Sequence, residues 1–426
     1  MQKREKYSID TLPSNHPRVS GNPSNSRMGD LAEKYSKIRK TNLTLKSHKI
    51  WNQSSENASN ILGEQQETTK VTILSLDTFQ KSIFFNFSKS KKHKKKRLKK
   101  LLELITEHPE YDIIALQDLT PFLTKSRKEV ILHSSKLGYK WSAYPPCPPL
   151  LSQFWINSGL LNLSKFEILE SRFRPFWSGS GLHKLVYRGV LYTKIKVGGQ
   201  KIDPKIIHLF NVFTQESRPV MYTEETRREY EARVNQLCTV REAIEAILGR
   251  YSNLGKNLIK GMRFPVKNER VLVVGGFHVD ARANNIVPRN LDILEKRAKR
   301  YLNEGTGKDR VTEYELLLHI LGGYGRDRVV DHLAKNYEVC HPVTVGDVKI
   351  TDAGAVVPGD QILTRECLWK SKMCLDLIFE ILVGGVVEPL RGACRVQKFS
   401  FGEAESQELG FGQISSHYGV SFNLEF

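Results

Sequence analysis

Five short segments follow one another along the chain, and each sets a polar or titratable side chain beside an apolar run. They read Leu74-Ser-Leu-Asp77, Ile114-Ala-Leu-Gln-Asp118, His208-Leu-Phe-Asn-Val-Phe-Thr-Gln215, Val274-Gly-Gly-Phe-His278 and Ser415-Ser-His417. Runs of this length suit buried strands, and the segments between them carry helical periodicity. Val71 to Asp77, Tyr111 to Gln117, Leu182 to Val197, Ile206 to Val212, Arg270 to Gly275, Cys374 to Ile381 and Gly419 to Phe426 are predicted strands. Helices are predicted through Leu98, Leu101, Leu102 and Ile105, near Ser126 to Leu137, over Glu224 to Leu248, over Val311 to Leu321 and over Asp327 to Lys335. This mixture predicts one α/β domain over residues 70–426, with two packed mixed sheets covered by helices. Residues 1–69 are rich in Ser, Asn, Lys, Gln and Glu and are expected to be a disordered polar tail.

Charge narrows the partners but does not choose among them. The net charge of +19 favours phosphates, nucleic acid or acidic membrane surfaces. Much of it is local, in the basic segment 89–100, Lys-Ser-Lys-Lys-His-Lys-Lys-Lys-Arg-Leu-Lys-Lys. That segment reads as an anion-binding surface, a solvated loop or a nuclear localisation signal. Phe84, Phe85 and Phe87 just upstream are expected to extend the core or to enter a lipid interface. The six cysteines form no Cys-x-x-Cys pair, which excludes a zinc knuckle or thioredoxin motif and points to free thiols. The N-terminus lacks the apolar core of a signal peptide, and no run reaches the roughly 20 apolar residues of a membrane helix. A soluble intracellular protein is expected, with any membrane contact peripheral.

Read together, the order and spacing of the five segments resemble the endonuclease/exonuclease/phosphatase superfamily, and within it the neutral sphingomyelinase branch. Asn157-Ser-Gly-Leu-Leu-Asn-Leu-Ser164, Leu185-Val-Tyr-Arg-Gly-Val-Leu-Tyr192, Arg233 with Gln236, and Cys374-Leu-Asp-Leu-Ile-Phe379 add to the likeness. The resemblance implies a four-layer α/β/β/α sandwich, DNase-I-like, with a phosphodiesterase site along one edge. It further implies Mg²⁺ or Mn²⁺ to neutralise charge on the phosphoryl oxygens, and a His oriented by a carboxylate as acid or base.

Carried over position by position, the frame is kept and much of the chemistry is changed. Asp376 and His417 match the family's Asp–His pair. Asp118 stands for the main metal Glu and Asp77 for a supporting Asn. Arg188 and Asn157 match phosphate contacts. Phe213 replaces a phosphate-facing His, Gly276 replaces the Asp that activates water, His278 replaces an Asn, and Ser416 replaces an Asp. Losing one donor at a preorganised site costs about a hundredfold to a thousandfold in rate. The balance favours a catalytically impaired homologue, a pseudoenzyme that keeps a phosphate-shaped cleft. The alternative is an active metal-dependent phosphodiesterase, acting on a phospholipid headgroup or nucleic acid, with Asp118, Asp77 and His278 rebuilt into a site for Mn²⁺ or Zn²⁺.

Overall fold

The computed structural model describes residues 43–45, 48–49, 69–80, 93–119, 125–149, 151–198, 204–216, 224–248, 268–283, 311–323, 327–338, 340–346, 348–350, 356–358, 372–382, 388–409 and 412–426. All of these belong to one compact unit, Leu43–Phe426. In chain order its first strands are β1 (Leu43–Leu45), β2 (His48–Lys49), β3 (Lys70–Asp77), β4 (Ile113–Gln117), β5 (Trp141–Ala143), β6 (Ile156–Asn157), β7 (Leu161–Ser164), β8 (Glu167–Pro175) and β9 (Val186–Tyr187). Then follow β10 (Gly189–Gly198), β11 (Lys205–Phe213), β12 (Glu269–Gly276), β13 (Arg328–Asp331), β14 (Val348–Ile350), β15 (Val356–Pro358), β16 (Asp376–Leu382), β17 (Arg391–Gln397) and β18 (Gly419–Glu425). The α-helices are α1 (Lys94–Glu107), α2 (Ser126–Lys136), α3 (Glu224–Ile247), α4 (Glu313–Leu321), α5 (His332–Tyr337) and α6 (Glu403–Leu409).

Two seven-stranded sheets form the centre, ordered β1-β8-β10-β11-β12-β16-β13 and β17-β18-β3-β4-β7-β5-β2. Alternation along β3 and β4 explains how they pack. Val71, Ile73, Ile113 and Ala115 join Ile207, Leu209 and Val271 of the other sheet in one core. Leu74, Leu76, Ile114 and Leu116 point the opposite way, onto Leu101, Leu104 and Ile105 of α1 and Val130 of α2. Across the molecule α3 and α4 bring Val234, Leu237, Ile244, Leu317 and Ile320 to the first core. The result is the α/β/β/α sandwich. Each such buried aliphatic side chain contributes about 1.5–3 kcal/mol of transfer free energy before ordering costs.

Several polar groups inside this core are paired. Arg241 of α3 and Asp327 before β13 are both fully buried and 2.7 Å apart, and Arg241 also donates to the Leu321 carbonyl. Breaking such a pair leaves a buried charge without its counter-ion. Between the sheets, Gln117 donates to Asn211 Oδ1 at 2.8 Å, and Asn211 donates to Asn162 Oδ1 at 2.7 Å and to the Leu116 carbonyl. Asn162 continues to Thr193 at 3.2 Å. This chain of amides fixes the two sheets to one another beneath their shared edge.

Several expectations are corrected. Asp327 to Lys335 is not one helix: Arg328-Val-Val-Asp331 pairs with β16 as an edge strand, and Asp331 then caps α5 by accepting from Leu333 N and Ala334 N. The adjacent β-branched residues favour the strand. Leu182 to Val197 is interrupted by a 3₁₀ turn over Gly181–Leu185. Within residues 1–69, β1 pairs with β8 and β2 with β5; the rest of that segment, Thr69 aside, lies outside the described residues, and the expected tail is left as an expectation.

The basic segment is also more structural than its composition implied. Lys94 onward is helix α1, and Arg97 is 1% exposed. Its guanidinium donates to the carbonyls of Thr78, Phe79 and Ile414, which ties the loop after β3 to the loop before His417. Burial lowers its pKa to about 10 against the raising effect of Asp118 and Asp77, and it stays charged at neutral pH. Residues 89–92 and Phe84, Phe85 and Phe87 lie outside the described residues. Among the described residues no helix is long and apolar enough to cross a membrane.

Candidate functional site

Strand direction within each sheet, and the packing of the two sheets on one another, bring the site together. β3 and β4 are parallel, as are β11 and β12, so the ends carrying Asp77, Asp118, Phe213 and His278 share one edge. β16 and β18 run antiparallel to β12 and β3, so their starts bring Asp376 and His417 to that same edge. Gly276 is the register partner of both Phe213 and Asp376. Asp118 and His278 sit in left-handed backbone, at φ 54° and 51°. Such conformations cost energy for a side-chain-bearing residue and concentrate where side chains must be aimed.

His417 lies between two carboxylates. Its Nδ1 is 2.8 Å from Asp376 Oδ2 and its Nε2 is 3.7 Å from Asp77 Oδ2. Asp376 is steadied by its amide donating to Thr344 Oγ1, and Thr344 also accepts from Tyr418 N through its carbonyl. Asp77 accepts from Phe79 N at 2.8 Å. Burial is the largest single influence on His417 and pulls its pKa down. The charges of Asp376 and Asp77, the hydrogen bond to Asp376 and the more distant Glu216 together outweigh it and raise the pKa to about 9. The metal-free imidazole is therefore a cation at neutral pH.

The Phe213 ring lies against the position where the water-activating carboxylate is expected. A Cβ built on Gly276 lies 3.1 and 3.3 Å from two carbons of the Phe213 ring. His278 meets Phe213 edge-on with ring centres 4.9 Å apart, and His417 with ring centres 5.8 Å apart. Arg188 covers the Phe213 ring at 4.7 Å. Its guanidinium bonds to the Thr214 carbonyl, to His183 at 3.0 Å and to Glu216 at 3.3 Å. Asn157 donates to the Pro146 carbonyl and accepts from Gly159 N, which shapes its own loop. Ser416 is buried beside His417.

Among the described residues, the group whose potential ligand atoms all lie within 4.8 Å of one another is Asp77, His278 and His417. Asp118, placed in the metal set from the sequence, is not in that group; its charge acts on Lys94 and, with that of Asp77, on Arg97. The converging set has two imidazoles and one carboxylate. Mg²⁺ demands oxygen ligands, so the implied Mg²⁺ does not fit this set.

No family model matches the chain. A sphingomyelinase of Dictyostelium discoideum is 27% identical over 364 residues, which are 74% of this chain and 72% of that protein. The chain is a homologue of that sphingomyelinase. Among solved structures, a variant of Staphylococcus aureus beta toxin with bound magnesium ions aligns at TM-score 0.48 and 14% identity, covering 83% of this chain and 99% of the other. The sphingomyelinase C of Streptomyces griseocarneus aligns at TM-score 0.47 and 13% identity, with the same coverage.

Other residues that held this homologue's likeness in the sequence turn out to brace the rim. Arg233 is ion-paired with buried Glu313 and donates to the Gln215 carbonyl. Gln236 accepts from Gln215 N at 2.7 Å and donates to the Ser178 carbonyl. What the sequence analysis did not anticipate is an exposed apolar cluster on that rim. Leu151 is 98% exposed, Trp155 71%, Leu182 61% and Trp177 38%. The backbone brings their segments together: Trp155 N donates to the Leu185 carbonyl, and Trp177 packs on Phe154, which lies between Leu151 and Trp155 in the chain, at 5.2 Å. The cluster borders β6 and β9, which lead directly to Asn157 and Arg188.

Proposed function

We propose that this chain is a sphingomyelinase-like phosphodiesterase homologue with an impaired hydrolytic site, which binds phosphate-bearing ligands at a lipid surface. The observation that carries the impairment is the Phe213 ring packed against Gly276. A nucleophilic water has no carboxylate there to receive its proton, and Phe213 donates nothing to a phosphate. Arg188, the remaining cation of that wall, is bonded within the protein. Losses inside one catalytic unit do not multiply, but a site lacking its proton acceptor keeps little of its rate. The intact Asp376–His417 pair favours the second reading, an active enzyme with a rebuilt site. One assay decides between them. Hydrolysis of sphingomyelin and of a generic phosphodiester, across Mg²⁺, Mn²⁺, Co²⁺ and Zn²⁺, is expected to match a His417→Ala control. Metal-dependent turnover that the control abolishes would establish the second reading.

The exposed Leu151, Trp155, Trp177 and Leu182 support a lipid surface over nucleic acid as the partner. Tryptophan suits the interface between headgroups and acyl chains. Burying one such side chain contributes about 1.5–3 kcal/mol, or roughly tenfold to a hundredfold in affinity. The double variant Trp155→Ala, Trp177→Ala is expected to bind phosphatidylcholine–phosphatidylserine vesicles at least tenfold more weakly in sedimentation. Equal vesicle binding by both proteins, together with tight binding of a single-stranded oligonucleotide, would transfer the reading to nucleic acid.

A further inference from the structure

We propose that Asp77, His278 and His417 form a binding site for a transition-metal ion of borderline softness, with Zn²⁺ the best-suited member. The site lies in the cleft of the function proposed above, but metal retention depends on neither turnover nor lipid binding, so either reading can fail alone.

The donor set carries the inference. Two imidazoles and one carboxylate match the three-ligand zinc sites that leave a fourth position open. Imidazole selects Zn²⁺, Cu²⁺, Fe²⁺ or Ni²⁺ over the oxygen-seeking Mg²⁺. The three ligand atoms already lie within 4.8 Å of one another. Tetrahedral zinc, with bonds of about 2.0–2.2 Å, holds its ligand atoms roughly 3.4 Å apart, so small side-chain rotations close the set.

The surroundings add a second feature of such sites. A metal-binding His usually donates its other ring N–H to a carboxylate, which fixes the tautomer. Asp376 holds Nδ1 of His417 in this way at 2.8 Å, and that leaves Nε2 on the side of Asp77. The third donor is supplied by a substitution. His278 stands where the resemblance places an amide, and its left-handed backbone at φ 51° turns its ring toward His417. Asp118, the carboxylate expected to lead an oxygen-rich site, is not in the converging group.

The test uses the full chain, stripped with chelator, loaded with Zn²⁺ or Co²⁺ and desalted. Metal content by mass spectrometry is expected to approach one ion per chain, and the Co²⁺ form to show the visible absorption of a four-coordinate site. Excess Mg²⁺ should not displace the ion. His278→Asn is the diagnostic variant because Asn tolerates left-handed backbone and so keeps the fold. It should weaken Zn²⁺ binding at least a hundredfold with an unchanged circular dichroism spectrum. Asp376→Asn should weaken it by about 10–100-fold. No retained zinc in the parent protein, or His278→Asn binding Zn²⁺ as tightly as the parent, overturns the site.

Discussion

Gly275→Ala is expected to abolish accumulation of the folded protein. Gly275 has φ +131°, and a Cβ placed there would lie 2.0 Å from the Val212 carbonyl oxygen. That carbonyl belongs to the neighbouring central strand, where Val212 is the register partner of Gly275. Neither backbone can move alone, since β11 is held on its other side by β10 and β12 by β16. Backbone strain and a collision between strands act together here, and the cost should exceed about 4 kcal/mol, the range reserved for the most damaging single substitutions. Soluble yield and the urea midpoint measure it. Gly402→Ala is the matched control, because nothing lies within 4 Å of its Cβ position. A Gly275→Ala protein with the parent's midpoint would mean that the strand pairing leading to His278 is wrong.

The metal-free protein is expected to lose about 3 kcal/mol of stability between pH 6.5 and pH 9. The folded-state pKa of His417 is raised to about 9 from 6.5. The folded state therefore holds the proton more tightly than the unfolded chain. The stabilisation is complete below pH 6.5 and disappears as pH rises through 9. Urea titrations in chelator, at intervals across that window, should show the decline in the parent. His417→Ala should remove it and flatten the profile. An equal slope in both proteins would assign the loss to other groups and leave the imidazole uncharged between Asp376 and Asp77.

How much of this was legible in the sequence depends on range. The strands that carry the motif were readable because each is a short apolar run with a polar residue beside it. The resemblance resting on their order implied that Asp77, Asp118, His278, Asp376 and His417 share one edge. Facing and distance were not readable. Asp77 rather than Asp118 belongs to the converging group with the two imidazoles, a matter of side-chain direction that strand order does not reveal. Arg97 escaped notice since nothing in a lysine-rich run marks the one cation that will be buried. Gln117 and Asn211 were inside quoted motifs, yet their inter-sheet bond joins residues far apart in the chain. The short strands β5, β6, β7 and β13 lacked the length to stand out against their loops.

The contact between Phe213 and Gly276 ties two positions of the cleft to one another. A Cβ at 276 would sit 3.1 and 3.3 Å from the phenyl ring, which must then give by a few tenths of an ångström, and a guanidinium with bonds of its own lies over that ring. Substitutions at 213 and 276 are therefore expected to be non-additive, since residues in contact couple. If the impaired reading proposed above holds, aspartate at 276 should gain more in a Phe213→His background than alone.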